Sequence, residues 1–97
     1  MNTDLIIIKE YCSKRQIDPV FIIELEEEGL IEIQVIDGEK YIDTEQLTDL
    51  ERYVNWHYDL SVNVAGIDVI RNLLRRIEQM KNEMNEMRNR MQIYNRL

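Results

Sequence analysis

The last third of the chain carries a heptad repeat. With Ile70 set at position a, Ile77, Met84 and Met91 follow at a, and Leu73, Met80, Met87 and Tyr94 fall at d, with no polar intruder over four heptads. An apolar repeat of 3.5 residues sustained over that length predicts a helix that supercoils left-handedly with another helix. Asn63 suits the cap position, so the helix is expected from about Val64 to near Arg96. At 1.5 Å per residue it would be roughly 50 Å long. The remainder of a 97-residue chain makes one small head domain. Such a head can cover Ile67, Ile70, Leu73 and Leu74, but it cannot also reach Met84, Met87 and Met91. The chain is therefore expected to divide into a head at 1–62 and a dimerisation helix at 63–97, with Ile70, Leu73, Ile77, Met80, Met84, Met87, Met91 and Tyr94 as its self-association stripe. The flanking e residues Lys81 and Arg88 and g residues Arg76, Glu83 and Arg90 mix attraction with repulsion and leave the strand orientation open.

The head reads as short elements. Leu5–Ile7 is β-branched and suits a small strand. Ile8, Tyr11 and Cys12 then recur at helical spacing. Asp18-Pro19 is a helix start, the carboxylate capping and the proline fitting the first helical position. Gly29 ends that helix, because a left-handed cap costs glycine little. Two short helices joined by a tight link predict a helix-turn-helix. Ile31, Ile33 and Val35 alternate with polar residues as in a half-buried strand, and Asp37-Gly38 predicts a hairpin turn returning through Lys40-Tyr41-Ile42. Asp43 caps a third helix, with Gln46 at the capping-box position and an apolar stripe at Leu47, Leu50, Val54 and Tyr58. The expected fold class is mainly α with a small β-hairpin wing.

Charge separates the two parts. Residues 1–60 hold fifteen acids and five bases, whereas residues 61–97 hold four acids and seven bases, so an acidic head joins a mildly basic tail. A net charge of -7 argues against a chain whose main task is gripping a nucleic-acid backbone. No apolar run is long enough to span a membrane. The first residues place an acid ahead of a short apolar stretch and lack a small-residue cleavage site, so they do not read as a secretory signal. With a single cysteine, Cys12, no internal disulfide forms, and a cytoplasmic location is expected. One histidine, His57, and one cysteine supply no metal-ligand spacing. The isolated glycines Gly29, Gly38 and Gly66 make no phosphate-cradling loop. Cys12 reads as a small core residue and His57 as a helix-end residue beside aromatics. No enzyme, metal or cofactor is expected.

Helix-turn-helix, wing, third helix and long terminal helix form the layout of MerR-type winged-helix proteins. More specifically, the chain resembles the chaperone modulator CbpM family. The resemblance is carried by EYCSKRQID at 10–18, EEEGLIE at 26–32, YIDTEQL at 41–47 and YDLSVNVAGIDVIRNLLRRIEQMKNEM at 58–84. Where that family usually shows a WPG-like tripeptide, this chain has Val64-Ala65-Gly66. The resemblance implies a small MerR-like protein that binds the J-domain of a CbpA/DnaJ-like co-chaperone. J-domains recruit Hsp70 through a basic helix and a neighbouring His-Pro-Asp loop, so a protein covering that surface would inhibit by competition.

A DNA-reading helix in this scaffold carries Arg or Lys on its outer face. Here the equivalent segment, Pro19–Glu28, is apolar and anionic. Ile22 and Leu25 point to the core, leaving Val20, Ile23, Glu24 and Glu27 on or near the groove-facing side. The expected partner contacts are Val20, Phe21, Ile23, Glu24, Glu27 and Glu28, with the wing acids Asp37 and Glu39. For Phe21 and Ile23 the alternative is burial against the third helix or the wing, and for the acids it is plain solvated surface. Two other functions stay open. A MerR-like transcriptional regulator would draw DNA contacts from Lys9, Lys14, Arg15 and Lys40. A dimerisation adaptor would need no J-domain partner.

Overall fold

Each of the first three helices closes in the same way, and the repetition builds the core. Helix α1 (Ile8–Arg15) is followed by left-handed Gln16, and the Ile17 N–H donates back to the Cys12 carbonyl at 2.9 Å. Helix α2 (Pro19–Glu27) is followed by left-handed Gly29, with Leu30 N–H on Leu25 O at 2.9 Å and Gly29 N–H on Glu26 O at 2.9 Å. Helix α3 (Leu47–Leu60) is followed by left-handed Ser61, with Val62 N–H on Trp56 O at 3.0 Å. These bonds satisfy carbonyls that a helix end leaves orphaned, and they swing the next apolar residue back over the helix. Ile17 and Leu30 are buried in consequence, and Val62 packs against the core.

The computed structural model describes the backbone of residues 4–95 and the side chains of residues 4–93. Strand β1 (Leu5–Ile7) precedes α1; β2 (Gln34–Ile36) and β3 (Glu39–Asp43) follow α2; a 3-10 turn at Thr44–Gln46 leads into α3, and α4 spans Val64–Asn95. The three strands form one antiparallel sheet in the order β1-β3-β2, with Ile6 opposite Ile42 and Gln34 opposite Tyr41. The wing is thus a hairpin with the N-terminal strand added. Its turn places Asp37 at φ 51° and Gly38 at φ 78°, the pair of positive values that a two-residue type I′ turn demands.

Two local expectations give way. The strand anticipated from Ile31 begins only at Gln34, because Ile31, next to the α2 cap, drops into the core instead of joining the ladder. Gln46 does not close a capping box with Asp43. Its amide accepts from Glu32 N–H at 2.7 Å and donates to Glu32 O at 3.0 Å, pairing a backbone that has left α2 and not yet reached β2. Asp43 caps alone, accepting from Glu45 N–H at 2.9 Å.

Helix α4 starts where Asn63 Oδ1 accepts from Gly66 N–H at 2.7 Å. Its first turn belongs to the head: Val64 and Ile67 are buried in the same cluster as Phe21, Leu25, Leu50 and Tyr53. From Asn72 to Ile93 every side chain is exposed. The radius of gyration is 18.5 Å, against about 12–13 Å for a compact chain of this size, because this helix projects from the head as a rod.

Tyr11 joins α1 to α3 by donating its hydroxyl to Glu51 Oε1 at 2.9 Å, and Arg15 pairs with the same carboxylate. Burial, reinforced by the Glu51 hydrogen bond and charge, raises the Tyr11 pKa well above the ordinary phenol value. Burial also raises Tyr53, against the pull of Arg71. The unfolded chain releases these protons near the ordinary tyrosine pKa of about 10, and the folded chain releases them later. The folded state therefore holds more protons above that pH, so this stabilisation is present below about pH 10 and lost as pH climbs through the raised values. Denaturation midpoints measured from pH 8 to 12 are expected to fall steeply above about 10, with a shallower fall in Tyr11→Phe. A flat profile in that range would contradict the assignment.

Candidate partner-binding face

Helix α2 is positioned from its first residue. The Asp18 carboxylate accepts from Val20 N–H at 2.9 Å, and the Asp18 N–H donates to the Tyr58 hydroxyl at 2.9 Å. Phe21 stacks on His57 with ring centroids 4.2 Å apart and an interplanar angle of 13°, and meets Tyr58 edge-on at 5.8 Å. His57 Nδ1 lies 2.8 Å from the Val62 carbonyl. A carbonyl only accepts, so Nδ1 carries the donated proton. One aromatic stack therefore ties α2 to the end of α3 and to the link into α4.

This places Phe21 inside the fold. It is 4 % exposed, and its assignment as a partner contact is corrected: Phe21 and Leu25 stand one helical turn apart on the buried side. The other α2 candidates face outward. Val20 is 55 % exposed, Ile23 is at the edge of exposure, and Glu24, Glu27 and Glu28 are exposed. On the wing, Asp37 is exposed at the turn and Glu39 is half-buried on β3.

The structure joins part of this set. A groove of about 270 Å³ opens between α2 and the wing, its floor made by Ile8, Pro19, Ile22, Ile23 and Ile33, with Gly38, Glu39, Lys9 and Lys40 completing its lining. Ile23 and Glu39 line the same groove, whereas Val20 and the acids at the end of α2 lie outside it. Sequence reasoning missed Pro19 and Ile33 as lining residues, and also Val35 and Ile36, which stand exposed on β2 beside the turn. The signal was present: two adjacent apolar residues before a tight turn belong to a strand too short to bury both faces.

The charge along the stretch from α2 to β2 is one-sided, and the bases beside it, Lys9 and Lys40, come from α1 and β3. From Asp18 to Glu39 there is no Lys or Arg, while eight acids fall in the same interval. Glu24, Glu26, Glu27 and Glu28 crowd the C-terminal end of α2, which has no base in its last turn. Negative charge there opposes the helix dipole and costs stability. Among the described residues the one ion pair is Arg15–Glu51, so none of these carboxylates is in an ion pair, although the Arg71 guanidinium stands at the end of α2 and donates to Gly29 O at 3.5 Å. Among the same residues, no group of three or more His, Cys, Asp or Glu side chains is placed to hold a metal ion, and no helix is long and apolar enough to cross a membrane.

Comparison with known families settles the architecture. Residues 6–89 match the model of the MerR helix-turn-helix regulatory proteins. The chain belongs to the MerR helix-turn-helix family. The match spans the helix-turn-helix, the wing, α3 and most of α4. No curated protein and no solved structure matches the chain.

The heptad residues are spread along the rod. Leu73, Ile77, Met80, Met84, Met87 and Met91 are 47–65 % exposed, whereas Ile70 is half-covered near the head. Tyr94 lies outside the described side chains. A second groove, of about 370 Å³, runs where α4 leaves α3, with Tyr53, Trp56, Leu74 and Ile77 among its lining.

Proposed function

We propose that this MerR-family chain is a cytoplasmic chaperone modulator whose head binds the J-domain of a CbpA/DnaJ-like co-chaperone and blocks its cooperation with Hsp70. The observation that carries the reading is the outer face of α2: exposed Val20 and Ile23 on the same helix as exposed Glu24, Glu27 and Glu28, in a stretch of sequence without a single base. A polyanion is repelled by that face, and each phosphate contact forgone removes part of the counterion release that drives DNA binding. A basic helix with its own apolar ridge fits it. Covering an exposed Ile or Val contributes about 1.5–3 kcal/mol, while the surrounding acids speed encounter and fix orientation. The partner class comes from the resemblance to CbpM in the blocks at 10–18, 26–32, 41–47 and 58–84. Competition for the J-domain surface needs no catalytic group, metal or cofactor. The exposed heptad stripe of α4 supports a homodimer held by a coiled coil.

The test is calorimetric titration of the full chain with the J-domain, repeated with Glu24→Lys plus Glu27→Lys. Reversing two exposed charges at the rim is expected to weaken binding about ten-fold or more and to flatten its salt dependence. Unchanged affinity in the double variant removes α2 as the contact face. A DNA-binding regulator is the second reading, favoured by the family itself, with exposed Lys9, Lys14, Arg15 and Lys40 as its contacts. Tight, salt-steep binding to duplex DNA in a low-salt gel shift would establish it in place of the first.

A further inference from the structure

Lys40 stands on the face of the wing where a charge is least expected. Successive side chains of a strand alternate between the two faces of a sheet, so Lys40 shares a face with Ile42, which is 1 % exposed and sits in the core. Its cross-strand partner on that face is Val35. Inward-pointing charges guard an edge strand against pairing with another chain, but β3 is the central strand of the sheet, paired with β1 on one side and β2 on the other. Protection of an edge therefore does not account for Lys40.

The groove beside it is apolar on its floor and cationic at its mouth. Ile8 and Ile22 are buried, Ile33 is half-buried and Ile23 is 36 % exposed, and all four line the groove. Helix α1 supplies the second base of the lining, Lys9, exposed in its first turn. Neither lysine is in an ion pair among the described residues. The one acid of the lining, Glu39, is the neighbour of Lys40 in the strand, so alternation assigns it to the opposite face of the sheet, with Tyr41. Lysine stems lie along apolar surface while the ammonium stays in water, which leaves two positive charges beside an open aliphatic slot.

We infer that this groove between α2 and the wing is a binding site for a medium-chain carboxylate, its alkyl tail on Ile8, Ile22, Ile23 and Ile33 and its carboxylate held by Lys9 and Lys40. The volume, about 270 Å³, falls just short of the roughly 300–1,000 Å³ of drug-sized ligand sites and suits a small amphiphile. Among the described residues no aromatic side chain lines the groove, so nothing there stacks on a planar ring, whereas branched aliphatic walls fit a flexible methylene tail. Charge decides the headgroup. The chain as a whole carries -7 and repels anions, so a preference for the anionic amphiphile reports the local pair of lysines. The inference does not depend on the J-domain reading. The two share Ile23, so an occupied groove covers part of the face assigned to the partner.

The test is calorimetric titration of the full chain with octanoate, hexanoate and octylamine, for wild type and for Lys9→Gln plus Lys40→Gln. Both lysines are exposed, so the double variant is expected to keep its fold, with an unchanged thermal midpoint as the check. Octanoate is expected to saturate at one molecule per chain below the concentration at which it forms micelles. Hexanoate, two methylenes shorter, is expected to bind about ten-fold more weakly, and octylamine is expected not to saturate. Removing both positive charges is expected to weaken octanoate about ten-fold or more and to abolish the salt dependence of its binding. Octanoate that fails to saturate overturns the proposal, as does an octanoate affinity unmoved by the double variant. Octylamine binding as tightly as octanoate removes the role of the lysines, and hexanoate binding as tightly removes that of the aliphatic floor; either result overturns the site. Should octanoate fail to saturate while the double variant still weakens binding of the J-domain, the groove receives a side chain of the protein partner, and the ligand assignment falls without the partner reading.

Discussion

Phe21→Ala is expected to lower the stability of the head by about 3–5 kcal/mol, the range for deleting a buried aromatic side chain. For a chain of this size that corresponds to a fall of about 15 °C or more in the thermal midpoint. The cost is high because Phe21 serves three elements together. Its ring lies on His57, meets Tyr58 edge-on, and sits in the cluster with Leu25 and Leu50. Removing it leaves His57 without its stacking partner and loosens the Val62 carbonyl that His57 holds at 2.8 Å. Phe21→Leu keeps most of the apolar volume and is expected to lose only about 1–2 kcal/mol. Thermal and urea denaturation followed by circular dichroism measure both. Should Phe21→Ala cost less than about 1 kcal/mol while partner binding disappears, Phe21 acts at the surface and the buried assignment is wrong.

Much of this is readable in the residues. Asp18-Pro19 and Gly29 delimit α2 because each has a strong local preference for its position. For Phe21 the alternative of burial against the third helix holds, because Phe21, Ile22 and Leu25 fall on one inward face of α2. Gln16 and Ser61 gave no comparable warning. Both adopt the left-handed conformation without being glycine, and what holds them there is the burial of Ile17 and the packing of Val62 that follow, which are tertiary effects. The late start of β2 has a similar origin. Alternation of Ile31, Ile33 and Val35 fits a strand, but the cap after α2 has already committed Ile31 to the core, and Gln46 from a distant element satisfies the Glu32 backbone. The groove between α2 and the wing was illegible for the same reason. Pro19, Ile23 and Ile33 become neighbours only through the folding of the helix-turn-helix against the sheet.

Substitutions along α4 are expected to separate into two kinds, divided near Arg71. Ile67 is fully buried, and α4 packs on both α2 and α3 through this end. Ile67→Ala opens a cavity at that junction and is expected to cost the head about 2–5 kcal/mol whatever the protein concentration. Met84→Asp is expected to behave oppositely. In the single chain Met84 is exposed, so the change carries only the small helix-propensity difference of about 0.5 kcal/mol or less. In the proposed dimer the same position lies in the apolar seam, and each dimer would bury two unpaired carboxylates. An uncompensated buried charge costs about 3–5 kcal/mol, which corresponds to at least about a hundred-fold rise in the dimer dissociation constant. Sedimentation across a dilution series, set beside thermal midpoints taken at one low concentration, reads both effects. A stripe that served only as solvated surface would leave Met84→Asp silent in both measurements. A rod folded back on its own head would make Met84→Asp as costly as Ile67→Ala at every dilution. The combination of an intact head and a lost dimer requires a second chain on that face.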